Sequence, residues 1–117
     1  MENTYENLLP HINYEEGKAR VMGKAQTYAR MIKLFDGKHM LKQLLAAVSA
    51  DNYKDINSAA HALRGTAGNL SFPIVYELAG KIQQNAKNEQ DCTLLSQELE
   101  VAMEGLYNAM ETLLADF

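Results

Sequence analysis

Apolar residues recur every three or four positions from one end of the chain to the other, and almost no stretch alternates apolar with polar. That spacing predicts helices and no strands. The clearest run lies toward the C-terminus, where Leu95, Leu99, Ala102, Leu106, Ala109 and Leu113 alternate four and three residues apart. This is the seam of antiparallel helices crossing at about 20°. Upstream, Tyr28, Met31, Leu34, Leu41, Leu45 and Val48 suit one long helix from Lys24 to near Ala50, with a bend at Gly37. Asp51 and Asn52 then cap a helix, with Asp55 near its third position, that runs through His61 to about Leu70. Ser71 and Pro73 mark a new start, since proline suits a first turn, and the next helix extends from Pro73 to Ala86 before the polar stretch 87–91. Two shorter helices precede these, Thr4 to Leu9 stopped by Pro10 and Tyr14 to Met22 bounded by Gly23, and both are expected to pack across the bundle. The expected fold is all-α: an up-down-up-down four-helix bundle with short N-terminal helices, residues 1–117 forming one domain. The helix carrying His61 is the second of the four. Tyr28, Phe35, Met103 and Tyr107 fall at helical spacing and are expected in the core or at its edge.

Composition narrows the function classes. A chain of 117 residues is long enough for one real core. Its net charge of −4 and scattered Lys and Arg argue against a nucleic-acid groove, which needs clustered cations on one face. Cys92 is the single cysteine, so no intramolecular disulfide forms, and the N-terminus lacks a secretory pattern. A cytoplasmic protein follows as the default. Every apolar run is far shorter than the roughly 20 residues needed to span a bilayer, so no membrane role is expected. His11, His39 and His61 form no i, i+4 pair with one another, and no metal or cofactor is called for.

The chemistry concentrates at His61-Ala62-Leu63-Arg64-Gly65-Thr66-Ala67-Gly68. A helix turns about 100° per residue, so Lys54, Asn57, Arg64, Gly65 and Gly68 fall within roughly 60° of His61, while Ile56, Ala59, Leu63, Ala67 and Leu70 fall on the far side. The apolar side faces a core, and His61 faces solvent. Two glycines inside a helix give up roughly 2 kcal/mol relative to alanine, and that loss calls for a reason. Helical side chains lean toward the N-terminus, so the residue at i+4 normally covers the one at i. Gly65 has nothing with which to cover His61. Arg64, at i+3, brings a guanidinium to the same patch as a permanent partner for an anion. The pattern reads as a nucleophile, an imidazole in large part neutral near pH 7, beside a phosphate clamp. On spacing alone a second reading stays open, a surface histidine beside glycines kept for close helix packing.

These residues carry a family resemblance. His61-x-Leu63-Arg64-Gly65-Thr66-Ala67 resembles the signature of histidine-containing phosphotransfer (HPt) domains: His, any residue, Leu or Ile, Lys or Arg, Gly, then small residues. Gly17, Arg20 and Gly23 resemble the run before that family's first long helix, and Tyr28 and Phe35 fall where the helix carries aromatics, so the likeness covers about residues 14 to 90. The resemblance implies a four-helix bundle with its phosphorylated histidine exposed on the second helix, in agreement with the order read from periodicity. It implies that His61 accepts a phosphoryl group from an aspartyl phosphate on a response-regulator receiver domain, or from a hybrid histidine kinase, and hands it to another receiver. Arg64 stands at the usual lysine. Gln83 stands where some members carry a glutamine that hydrogen-bonds the histidine, although an ordinary solvated glutamine fits the sequence equally. Ser71 departs from the usual glycine at the end of the histidine helix.

The site residues expected from these readings are His61, Arg64, Gly65 and Gln83, in a monomer that acts in a phosphorelay. With no phosphate-cradling glycine loop and no carboxylate cluster for Mg²⁺, the chain has no ATP site of its own and is not an enzyme in the usual sense. Three other readings are weaker. A histidine kinase dimerisation domain usually carries proline after its histidine-acid run, and Thr66 follows Gly65 here; a metal protein lacks a ligand set; an interaction module that is never phosphorylated has no need of His61, Arg64 and Gly65 together.

Overall fold

Six α-helices carry the periodicity in the computed structural model, which describes residues 5–117: α1 (Tyr14–Arg20), α2 (Ala25–Lys33), α3 (Gly37–Ser49), α4 (Tyr53–Leu70), α5 (Pro73–Lys87) and α6 (Thr93–Leu114). Helices α3 to α6 pack each on the next, and α6 closes on α3, giving the expected up-down-up-down bundle with the histidine helix second. No strand occurs among the described residues. Leu44, Ile56, Leu63, Ile82, Leu99, Leu106 and Leu113 form its fully enclosed centre. The C-terminal seam is buried from Leu99 to Leu113, with Leu95 at its edge. On α4, burying Ile56, Leu63 and Leu70 contributes about 1.5–3 kcal/mol each. That exceeds the roughly 2 kcal/mol its two glycines give up, so packing and not propensity holds this helix.

The single helix expected from Lys24 to Ala50 is in fact two. Helix α2 stops at Lys33, and α3 begins at Gly37. Leu34, placed by periodicity on the apolar face, is 79% exposed, and Phe35 turns inward in its place, its ring edge-on to Phe72 at 5.2 Å. Gly37 is where the chain yields, since a Cβ there would overlap the Phe35 ring and the end of Met103. Tyr107 stacks on Phe35 at 6.2 Å and accepts a 3.0 Å hydrogen bond from the Lys38 N–H at the start of α3. A straight helix would forfeit this aromatic cluster.

The other ends follow local chemistry. The Asn52 side chain accepts from the Asp55 N–H at 3.1 Å and donates to the Asp55 carboxylate at 2.9 Å, a reciprocal cap on α4. Pro73 opens α5 in its first turn. The short helix expected from Thr4 to Leu9 is a 3₁₀ turn at Glu6–Leu8, with Thr4 outside the described residues. Helix α1 ends at Arg20, because Met22 and Gly23 adopt positive φ of 59° and 75° and turn the chain into α2. The N-terminal segment is tied to the C-terminal ends of α4 and α6, which lie at the same end of the bundle. Tyr5 donates to Asp116 at 2.5 Å, Tyr28 donates to the Leu70 carbonyl at 2.5 Å, and the Asn13 N–H bonds the Ser71 carbonyl at 2.9 Å. No helix among the described residues is long and apolar enough to cross a membrane.

Candidate functional site

Helix α4 presents His61 outward while Ile56, Ala60, Leu63 and Ala67 enter the core behind it. Around Gly65 the surface is open: a Cβ built there meets no heavy atom within 4 Å. His61 and Gly65 border an open groove of about 610 Å³ along α4, whose walls include Arg64, Gly68, Ser71 and Tyr76. His11 and His39 lie elsewhere, the first against Gly105 of α6 and the second exposed on α3. No group of three or more His, Cys, Asp or Glu side chains among the described residues is placed to hold a metal ion.

The antiparallel packing of α5 on α4 supplies the partners. His61 lies opposite Gln83, whose amide nitrogen is 3.2 Å from Nδ1. One turn along, Arg64 lies over Gly80, where a Cβ would stand 3.4 Å from the guanidinium Nε. A further turn along, Gly68 lies under Tyr76, where a Cβ would stand 3.1 Å from the ring. Each step of three or four forward on α4 is thus matched by the same step backward on α5. The stripe Tyr76, Gly80, Gln83 is itself helically spaced, a signal available in the sequence from which only Gln83 was read.

Arg64 differs most from the sequence reading. Instead of lying free at the imidazole, its guanidinium donates from Nη2 to the Tyr76 hydroxyl at 3.0 Å and sits 4.9 Å from the centre of that ring. The two glycines of α4 also separate in purpose. Gly65 leaves space, whereas Gly68 allows an aromatic ring to approach the helix.

Ser71, the departure from the expected glycine, ends α4 in the left-handed region at φ 61°. A non-glycine residue there is uncommon, and its side chain is well anchored. The buried Ser71 hydroxyl donates to Glu16 at 2.9 Å and accepts from Arg20 Nε at 3.2 Å, while Arg20 Nη2 lies 3.4 Å from the same Glu16 oxygen. Through these contacts α1 reaches the end of the groove.

A family model described as the Hpt domain matches residues 34–115. The match starts at the α2–α3 break, takes in all of α3 to α6, and reaches farther toward the C-terminus than the resemblance over residues 14 to 90; Gly17, Arg20, Gly23 and Tyr28 precede it. Comparison with curated proteins gives no match, and neither does comparison with solved structures. On the family match, over more than half its length, the chain belongs to the Hpt domain family and has its role, histidine phosphotransfer in the phosphorelays of two-component signalling.

Proposed function

We propose that His61 is the phosphoacceptor, taking a phosphoryl group from the aspartyl phosphate of a receiver domain or hybrid histidine kinase and passing it to a second receiver aspartate. The observation that carries this reading is the contact between Gln83 and His61 Nδ1 on an uncovered helix face. The oxygen and nitrogen of an amide exchange by a half-turn about its last torsion. With Oε1 toward the ring, Gln83 accepts from Nδ1–H and selects the neutral tautomer whose lone pair is on Nε2. That nitrogen attacks phosphorus. The Nε2–P bond forms as the bond from phosphorus to the aspartate oxygen breaks, and the carboxylate leaves with the electron pair. The ring is then cationic, and its Nδ1–H bond to Gln83 is strengthened by the charge. Onward transfer reverses these steps on another aspartate. Gly65 keeps the line of approach open, and Arg64 supplies a cation within the same groove.

The receiver brings the acidic pocket and metal, since this chain has no ATP site. We place the protein in the cytoplasm as a monomer, with the N-terminal segment part of the same domain; the Tyr5 to Asp116 bond and the burial of Ile12, Tyr14 and Tyr28 support that unity.

Incubation with a phosphorylated receiver tests the assignment, because phosphohistidine is lost in acid and survives base. Wild type is expected to take up acid-labile label and His61→Gln none. Acid-labile label on His61→Gln would move the site to His11 or His39. A wild-type protein that binds receiver without taking label would be an interaction module.

A further inference from the structure

Arg64 and its surroundings on α5 form a built arrangement that phosphotransfer by itself does not require. The guanidinium has both a hydrogen bond and a ring-face contact with one residue, Tyr76. The aliphatic part of the arginine lies over Gly80, with Cδ 3.6 Å from where a Cβ would stand. The Tyr76 ring in turn lies against Gly68. Position 80 thus lacks a side chain where the arginine crosses α5, and position 68 lacks one where the tyrosine returns to α4.

The direction of this arrangement matters. Tyr76 is level with Gly68, one turn beyond Arg64, whereas His61 lies nearly one turn before it. Arginine on a helix ordinarily leans toward the N-terminus, here toward His61. Tyr76 draws the guanidinium the opposite way, along α4 toward its C-terminal end. The hydrogen bond and the ring contact are both exposed ones, Tyr76 being 40% exposed. Contacts of this kind are weak enough for a phosphoryl dianion one turn away to outcompete.

We propose that Tyr76 is a positioning residue that parks Arg64 away from His61 in the unphosphorylated protein and releases it to the phosphoryl group once His61 is modified. The inference rests on His61 being the phosphoacceptor. Its consequence is a phosphorylation-dependent change at Tyr76, whose ring face is covered by the guanidinium before transfer and bare after it. Such a change gives a partner a way to distinguish the two forms of the protein beyond the phosphoryl group itself.

The test uses the full chain phosphorylated with phosphoramidate, a small donor that transfers its phosphoryl group to imidazole with loss of ammonia. Phosphorus NMR reports phosphohistidine, proton-nitrogen spectra report the Arg64 side chain, and aromatic proton-carbon spectra report the Tyr76 ring. In the unphosphorylated protein the Arg64 protons are expected to show contacts with the Tyr76 ring and its ring-current shift. In the phosphorylated protein both are expected to disappear. Tyr76→Ala, which removes the competitor for Arg64 from the unphosphorylated protein, is expected to shift phosphoryl exchange with a phosphorylated receiver toward phosphohistidine by about three- to ten-fold at equilibrium, the scale of one exposed cation–π contact plus one exposed hydrogen bond, and Tyr76→Phe, which keeps the ring, by less. In an Arg64→Ala background Tyr76→Ala is expected to change nothing, as a double-mutant cycle requires when one residue acts through the other. A phosphorylated His61 with Arg64 still on Tyr76, or equal effects of Tyr76→Ala in both backgrounds, overturns the parking role alone. Absence of any phosphohistidine signal overturns the phosphoacceptor assignment and this inference with it.

Discussion

Gly65 offers a direct test of access to the histidine, because stability and transfer should move in opposite directions. It is exposed in the interior of α4, and a Cβ added there meets nothing within 4 Å. Gly65→Ala therefore has no steric cost and should recover the helix propensity that glycine forgoes, about 1 kcal/mol. For a domain of this size that raises the melting temperature by about 3–6 °C. Leucine has nearly the same propensity as alanine, so Gly65→Leu should also fold at least as stably as wild type. Its longer side chain leans toward the N-terminus and lands on the residue four before it, His61. Transfer then requires the side chain to be displaced while a receiver approaches, and the expected loss is about ten-fold or more, equivalent to about 1.4 kcal/mol in the barrier. Alanine is too short to reach the ring and should keep transfer within about three-fold of wild type. Thermal unfolding followed by circular dichroism gives the first quantity, and acid-labile label moving from a phosphorylated receiver gives the second. A folded Gly65→Leu protein that transfers at the wild-type rate would refute the access argument, and a destabilised Gly65→Ala protein would show that the space at Gly65 is not open.

Further outcomes follow from the same geometry. Arg64→Ala should slow transfer or shorten the phosphohistidine lifetime by about ten-fold, a partial loss because solvent screens the site, and Arg64→Lys should recover much of it; label followed over time at fixed salt decides, and equal values for wild type and Arg64→Ala would leave Arg64 a solvated helix residue. Gly37→Ala should destabilise the fold by about 1–3 kcal/mol in urea titrations, because its Cβ would overlap the Phe35 ring and Met103; an unchanged midpoint would mean that the α2–α3 break is not set by this packing. The Tyr5 phenol is pushed up to about 12, by burial first and then by its bond to Asp116. Its folded-state pKa lies above the unfolded value of about 10, so the stability it contributes is complete below pH 10 and lost as the pH rises toward 12. Tyr5→Phe should accordingly lose less stability than wild type between pH 9 and about 11.5, and parallel curves would refute the linkage.

What the chain alone determined is what local rules govern. Periodicity of three and four residues, the Asn52 cap and Pro73 in a first turn each act within about one helical turn. They placed α4 and α5 to within a residue or two, marked the buried seam of α6, and put His61 on the solvent side of its helix. The motif around His61 carried the family, and with it Gln83. Contacts between helices were beyond such rules. Gly65 and Gly68 look alike along one stripe, and only the position of α5 shows that the first faces solvent and the second faces Tyr76. Whether Arg64 points at His61 or across α5 depends on the offset between α4 and α5, which the fit of the whole core sets and no single segment encodes. The break before Gly37 has the same origin. Helix spacing continues through Leu34, but burying Phe35 against Phe72 and Tyr107 requires the chain to turn there. At Ser71 the left-handed conformation came from the sharp passage between α4 and α5, and a serine serves because Glu16 and Arg20, some fifty residues earlier, meet its hydroxyl. Helices are local objects, whereas the faces they show one another are decided by packing across the chain.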